Sequence, residues 1–586
     1  MAETRLPLRA LIGLWAVASL MLIVFAWPHI AMGDGWDPDD RLRLVQLRDW
    51  MGGQGWLDTT QYRLNPPDGG PMHWNRLIEI PLAMIVWPLA PLVGQAMAEQ
   101  IAGVLVPLAG LGLVMLSAAR IAIRISPQDR ARPAAIAAAG LTIGASALLI
   151  QFLPMRIDHH GWQIVLAMLA LAALSGRNDA RHGIAIGLAL ALWLSISLEG
   201  LPLALGFFAA MGLVWLFRAE ADPRLSAALA SFAIATPLLY LATRGFAPPG
   251  GCDIIGPAHI GAIAAASLVL APMTARPATG LAARILTGIA AMAAGTAALL
   301  LIDPACASDG FGALDPLVHN YWYENVREGL PVWRQYPGQA LSYGAGPVLG
   351  LIAFLVLIRQ PAHPERRRMI LMAGLVLAWS VLVALLVFRA VSTANAIAIP
   401  FQAWLAVHLY DKARTLSRPA LRVLAIWALV PVVLPGMVLG NIARLASTPA
   451  QSTGGANLAN ARCDTSTNLA TLAALPRARI LAPFDLGPGI LMTTGHSVLA
   501  SSHHRNAAAM HDQIVIFRSA PKAAHRLIRR HAIAYVVLCP GEPEMRIYAR
   551  RDPDGLGAML TKGSHPGWLD PVDLPGSELR IWKVLP

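Results

Sequence analysis

Runs of about 20 apolar residues recur along this chain, and no other feature of the sequence limits its fold as tightly. A backbone surrounded by hydrocarbon has to pair its own N–H and C=O groups, so each run reads as a membrane-crossing helix. The 586 residues are 56% hydrophobic and 14% charged, against roughly a quarter charged in a soluble protein. The predicted spans are residues 10–31, 98–119, 133–153, 161–174, 183–198, 201–217, 225–243, 257–274, 281–302, 340–358, 369–388, 395–410 and 421–440. The expected fold is an α-helical polytopic membrane protein with about 13 transmembrane helices.

The formal net charge of +12 could suggest a nucleic-acid partner, but its distribution argues against one. The arginines gather in the short loops between spans, as orientation signals do. Arg120, Arg124, Arg130 and Arg132 share one loop, Arg177 and Arg181 the next, and Arg218 and Arg224 a third. Arg276 and Arg284 follow, then Arg359 with Arg366, Arg367 and Arg368, then Lys412, Arg414, Arg418 and Arg422. Six loops in register put this face and the N-terminus in the cytoplasm. The first span, preceded by Arg5 and Arg9, reads as a retained anchor. Three long segments then lie outside: 32–97, 303–339 and 441–586. The apolar stretch 77–93, with Pro81, Pro88 and Pro91, is expected as a helix at the surface rather than a span. The chain divides into a membrane domain, 1–440, and a small C-terminal periplasmic α/β domain, 441–586, where AYVVLCP (534–540) and DQIVIF (512–517) look like strands. Ala- and Arg-rich usage suits the inner membrane of a bacterium with a GC-rich genome.

All four cysteines fall on the outer side, where an oxidising periplasm permits disulfides. Cys463 with Cys539 is the preferred pairing and Cys252 with Cys306 is possible; four buried thiols are the alternative. The spacings are not those of a zinc site.

Chemistry concentrates in two outer-face segments. GDGWDPDDRLRL holds Asp37, Asp39 and Asp40, and RIDHHGWQ (156–163) holds Asp158, His159 and His160. Alone, the first reads as a helix N-cap with an acidic first turn, and the second as a polar turn. Together on one face, their oxygens and imidazoles suit a hard divalent cation, Mn²⁺ or Mg²⁺. HNYWYENVREGLPVWRQ (319–335) adds Glu324 and Glu328 in an aromatic loop able to close over a substrate; it also reads as an amphipathic surface helix. Arg389 lies at the outer end of a span, where a guanidinium suits phosphate or simply snorkels. Glu199 sits at the outer end of a hairpin, pairing with an arginine or capping the turn. APFDLGPG (482–489) and TGHSVLASSHHRN (494–506) bring Asp485 and the pair His503 and His504, either lining a cleft or forming an ordinary turn.

Taken together these segments resemble the catalytic subunit of oligosaccharyltransferases, within the GT-C superfamily of lipid-dependent glycosyltransferases. WDPDDRLRL is similar to that family's first acidic motif, with Asp37 and Arg43 in the matching places. RLNPPDGGPMHWNRLIEIPLA is similar to the stretch ending its first external loop. IDHHGW resembles the second motif in its archaeal form, which implies Asp37, Asp158 and His160 as metal ligands. VREGLPVW resembles the mobile fifth external loop, with Glu328 at the functional glutamate, and Arg389 falls where the family keeps an arginine near the lipid pyrophosphate. The resemblance implies metal-dependent, inverting transfer of a glycan from a polyprenyl-(pyro)phosphate donor at the periplasmic face. Asp37 and Glu328 would be catalytic. Arg389 and Arg43 would meet the donor phosphate, and Asp485, Trp333, His503 and His504 the acceptor. The family's acceptor signature, Trp-Trp-Asp followed by an aromatic and Gly, here reads PFDLG: Asp485 and Gly487 remain and both tryptophans are gone. The implied acceptor is therefore not a standard Asn-x-Ser/Thr peptide. The alternative is a polyprenyl-monophosphate sugar used to modify a lipid or polysaccharide. A transporter of lipid-linked sugars fits less well, because transporters place polar groups near the midplane and here they gather at one face. The partners implied are the lipid-linked donor, membrane lipid and an unidentified periplasmic acceptor, with the chain acting as a single subunit.

Overall fold

A computed structural model of the protein describes residues 5–218, 220–247, 250–276, 280–307, 314–446 and 463–586. Each predicted span is a helix or a bent helix pair. Among the described residues, nine helices are long and apolar enough to cross a membrane, and two bent pairs qualify together. His160–Leu174 and Ala180–Ile196 are shorter apolar helices in the remaining two places. The protein is a multi-pass membrane protein.

The two bends have local causes. Gln128–Gly144 turns by 73° into Ser146–Phe152 at Ala145, whose ψ of 84° leaves the helical region. Pro419–Val433 turns by 85° into Pro435–Leu445. Pro435 cannot donate to the helix ladder and drives Leu434 out of the α region, to ψ 55°. The last expected span, 421–440, is thus an angled pair. Its second arm lies so close to the helix Pro337–Leu357 that a Cβ at Gly436 would collide with the Ser342 carbonyl.

The six arginine-bearing loops meet at one end of the bundle. Arg124 reaches Ala172 O at 2.6 Å, Arg130 pairs with Asp411 at 2.8 Å, and Arg224 reaches Leu174 O at 2.7 Å. Arg368 pairs with Asp222, and Arg284 donates to Arg218 O. The acidic and histidine-bearing loops meet at the opposite end, under the C-terminal sheet.

At that end the first long loop contributes the helix Pro38–Met51, capped by Asp37, which accepts from Asp40 N at 3.0 Å. The apolar stretch forms the helix Glu79–Val93, laid against Gln95–Ile125 through Leu82, Ala83 and Val86, with Met84, Trp87 and Leu92 exposed. The C-terminal unit holds a five-stranded sheet: β1 (Arg479–Leu481), β2 (Ser497–Val498), β3 (Ile533–Leu538), β4 (Leu569–Pro571) and β5 (Arg580–Val584), in the order β2-β1-β3-β5-β4. β1 is parallel to β2 and β3, whereas β5 is antiparallel to β3 and β4. AYVVLCP falls on β3 as expected, with the strand starting one residue earlier at Ile533. DQIVIF does not form a strand: it lies in the helix Ala507–Arg518, which buries Met510, Ile514 and Phe517 on one face. Three alanines at 507–509 start that helix, and their propensity prevails over the β-branched run.

The sheet is joined to the first loop. Val498 exchanges backbone hydrogen bonds with Arg63 O (3.0 Å) and Asn65 N (2.8 Å), and Arg48 reaches Met492 O at 2.7 Å. Both disulfides are present, Cys463–Cys539 and Cys252–Cys306.

Candidate active site

The cap of Pro38–Met51 and the turn before His160–Leu174 face each other, and the site grows from that meeting. Asp40 is fully buried and accepts the backbone N–H of Ile157 (2.8 Å) and Asp158 (3.0 Å), together with that of Trp36 (3.0 Å). This carboxylate sets the second motif against the first. Arg156 lies between them: it pairs with Asp37, with Asp40 at 3.4 Å and with Asp158 at 2.8 Å. Three carboxylates around one guanidinium leave a net negative charge. Burial pushes Asp37, whose side chain is 30% exposed, up to about 6, and raises Asp40 further. Asp158 is lowered: its burial opposes ionisation, but Arg156 and the two neighbouring histidines outweigh it.

A second group adjoins the first. Asp39 points from the same helix turn toward His503 Nε2 at 3.3 Å, and His159 and His160 lie ring to ring, 4.3 Å between centroids. Carboxylate oxygens of Asp37, Asp40 and Asp158 lie within 4.8 Å of one another, and so do ligand atoms of Asp39, His159 and His160. The expected metal set, Asp37, Asp158 and His160, is thus divided between two adjoining groups, joined through the peptide linking Asp158 to His160. The donors suit a divalent cation: buried carboxylates outnumber their guanidinium partner, and His159 Nδ1 is buried without a hydrogen-bond partner among the described residues.

On the membrane side, Arg389 lies in the short turn Phe388–Ala390 before Val391–Arg414. One of its terminal nitrogens pairs with Glu199 and the other with Glu328 at 3.1 Å. Glu199 also faces His159 Nε2 at 3.6 Å. The aromatic loop therefore rests against the site: Glu328 is 51% exposed, and Phe388 N donates to Leu330 O at 3.1 Å. Trp333, in the same loop, is 66% exposed.

Other expected residues are placed differently. Arg43 does not face the open side. Its side chain is 1% exposed, and its guanidinium is spent on Asn75 O (3.0 Å), Glu79 (3.3 Å) and the face of Trp74 at 4.1 Å. Its geometry is that of a structural brace: position 43 faces the interior, while Asp39, one turn earlier, faces the histidines. Asp485 precedes the helix Leu486–Thr493 at its N-cap and is exposed. His503 reaches the cluster, held by Ser501 Oγ at 2.9 Å and edge-on to Trp74 at 4.8 Å. His504 turns away to Asp253, 2.7 Å. Sequence reading passed over Arg156 and Trp74, and gave Asp40, Asp39 and His159 no role of their own. The available signal was position: Arg156, Asp39, Asp40 and His159 lie inside the two motifs, and Trp74 lies in the stretch RLNPPDGGPMHWNRLIEIPLA.

No family model matches the chain, and no curated protein matches it in sequence. Solved structures do match. The archaeal oligosaccharyltransferase AglB from Archaeoglobus fulgidus, in complex with an inhibitory peptide and a dolichol-phosphate, superposes with a TM-score of 0.64 at 14% identity, over 96% of this chain and 72% of that one. The same organism's oligosaccharyltransferase in complex with Zn and sulfate gives 0.55 at 14% identity, over 90% and 67%. The mycobacterial arabinofuranosyltransferase AftD gives 0.50 at 13%, over 100% of this chain and 40% of that one. The likeness is one of fold: this chain has the polytopic fold of the GT-C membrane glycosyltransferases, with a small sheet at its C-terminal end.

Proposed function

We propose that the protein is an inverting glycosyltransferase that moves a glycan from a polyprenyl-(pyro)phosphate donor to an acceptor at the periplasmic membrane face. The observation that carries this reading is the convergence of two acidic motifs, a histidine pair and Arg389 at one end of a GT-C bundle. The fold neighbour captured with a dolichol-phosphate and the one with Zn and sulfate support a lipid-phosphate donor and a divalent cation here as well.

Asp37, Asp158 and His160, joined by Asp39 and His159, would hold Mn²⁺ or Mg²⁺. Such an ion, when bound, neutralises charge on a departing phosphate. The chain's own residues do the rest. Asp40 fixes the backbone of Ile157 and Asp158, so both motifs keep one register. Arg389 offers its planar fork to the donor phosphate, which exchanges for the half-exposed Glu328 on that guanidinium. Glu199 keeps Arg389 aimed after the exchange. Freed Glu328 stays beside His160 and orients the acceptor. The bond from the sugar's anomeric carbon to the phosphate oxygen breaks with its electron pair on the phosphate, and the acceptor attacks the opposite face, losing its proton to the freed Glu328 carboxylate. Trp333, Asp485 and His503 line the approach of the acceptor, which is not a standard Asn-x-Ser/Thr peptide, since PFDLG lacks the paired tryptophans.

The test uses membranes containing the protein and a metabolically labelled lipid-linked sugar extract. Label should leave the lipid fraction with Mn²⁺ or Mg²⁺ and stay there with a chelator. Equal loss with and without chelator would refute the metal-dependent reading.

A further inference from the structure

A second cluster of ligand-type side chains lies on the other side of Trp74, outside the site just described. His73 comes from the first long loop, Asp253 from the connection between the helices Pro223–Arg244 and Pro257–Thr274, and His504 from the C-terminal unit. One ligand atom from each lies within 4.8 Å of the others. We propose that His73, Asp253 and His504 form a structural Zn²⁺ site that fastens these three segments together.

The three positions are separately anchored. Arg244 donates to the backbone carbonyls of His73 and of Met72, the latter at 3.4 Å, which holds His73 from the end of its own helix. Asp253 follows Cys252, which is bonded to Cys306. His504 opens the short turn His504–Asn506, and its Nε2 lies 2.7 Å from Asp253 Oδ2. The rings of His73 and His504 are 4.6 Å apart at their centroids. His73 Nδ1 is buried with no hydrogen-bond partner among the described residues, so one imidazole nitrogen in the cluster is left unsatisfied.

Two imidazoles and a carboxylate are a zinc set. Zinc ligands at about 2.0–2.2 Å in a tetrahedron stand roughly 3.4 Å apart, a spacing that the 2.7 Å between His504 Nε2 and Asp253 Oδ2 and the 4.8 Å within which all three ligand atoms lie bracket from either side. Arg505 grips both oxygens of Asp253, at 2.8 and 2.6 Å. A carboxylate has about four lone-pair sites. The two that Arg505 leaves serve the metal, and the arginine orients the ligand as outer partners of metal-bound carboxylates do. With three protein ligands, the fourth position is left to water. The metal would add one shared tie among three segments that the disulfide, the Val498 hydrogen bonds and Arg244 already connect in pairs.

The test is Co²⁺ substitution in the full chain purified in detergent and stripped with chelator. Co²⁺ should give the intense visible bands of a tetrahedral site in the unaltered protein and in His160→Ala. Those bands should be lost in His504→Ala and in Asp253→Asn, which keeps the shape of the carboxylate and guards against misfolding. Zn²⁺ should displace the Co²⁺ bands and raise Tm in the unaltered protein and in His160→Ala, and should do neither in His504→Ala or Asp253→Asn. Bands that survive in both variants, or that vanish in His160→Ala, or that never appear, would overturn the proposal. The catalytic reading does not depend on any of these results.

Discussion

Asp40 is the residue on which the site's geometry turns, although it is not the one the motif advertises. It has no open face, and its oxygens are spent on three backbone N–H groups and Arg156. Asp40→Ala should lower metal affinity by about 10- to 100-fold, the usual cost of losing a group that orients ligands. A Mn²⁺ titration of the purified protein reads this directly. Arg43 tests the opposite case. Removing it leaves Glu79 half-paired in the interior, so Arg43→Ala should destabilise the protein by about 3–5 kcal/mol, seen as a lower Tm in detergent. Donor KM in the protein that remains folded should be unchanged. Asp37 gives the pH dependence. Its pKa, raised by burial from 3.8 to about 6, means that the folded metal-free chain binds more protons than the unfolded one between those values. Its contribution to stability is therefore present below that window and falls as pH rises through it. Mn²⁺ must displace the same proton, so Mn²⁺ should raise Tm more near pH 7.5 than near pH 5. A larger rise at the acid end would contradict this.

At the scale of elements, the account turns on the aromatic loop and its contact with Arg389. Glu328→Gln should weaken that contact while leaving the fold intact, and Arg389→Ala should cost about 10²- to 10³-fold in turnover, as the loss of one preorganised donor to a developing anion does. A kcat measurement on matched preparations separates the two variants. Periodicity made the helices legible: each expected span, from 10–31 to 421–440, is helical where it was expected. What it could not show was direction. The 85° turn at Pro435 depends on one residue's missing N–H and on the close approach at Gly436. The segment 512–517 reads as a strand by composition and becomes a helix because its neighbours start one. The two motifs were legible as acidic patches. The Asp40 and Arg156 contacts between them were not, since they join residues more than 100 positions apart in sequence.

At the scale of the whole molecule, the arginines and the cysteines mark opposite ends. The arginine loops meet at one end. Both disulfides, the sheet and the candidate site meet at the other. Alkaline phosphatase fused at residue 586 should be active in cells, and fused after residue 416 should not, which fixes the proposed orientation. Reducing Cys463–Cys539, separated by 76 residues, should cost the C-terminal unit about 4.5 kcal/mol by loop-closure entropy and lower Tm accordingly. The measurement that bears most directly on the central claim is the lipid-linked glycan pool, read with the surface glycans, in cells lacking the gene. We expect one lipid-linked sugar to accumulate and one surface glycan to vanish, both restored by the unaltered gene and not by Asp37→Ala. Unchanged pools in the absence of the gene, or full restoration by Asp37→Ala, would contradict the account.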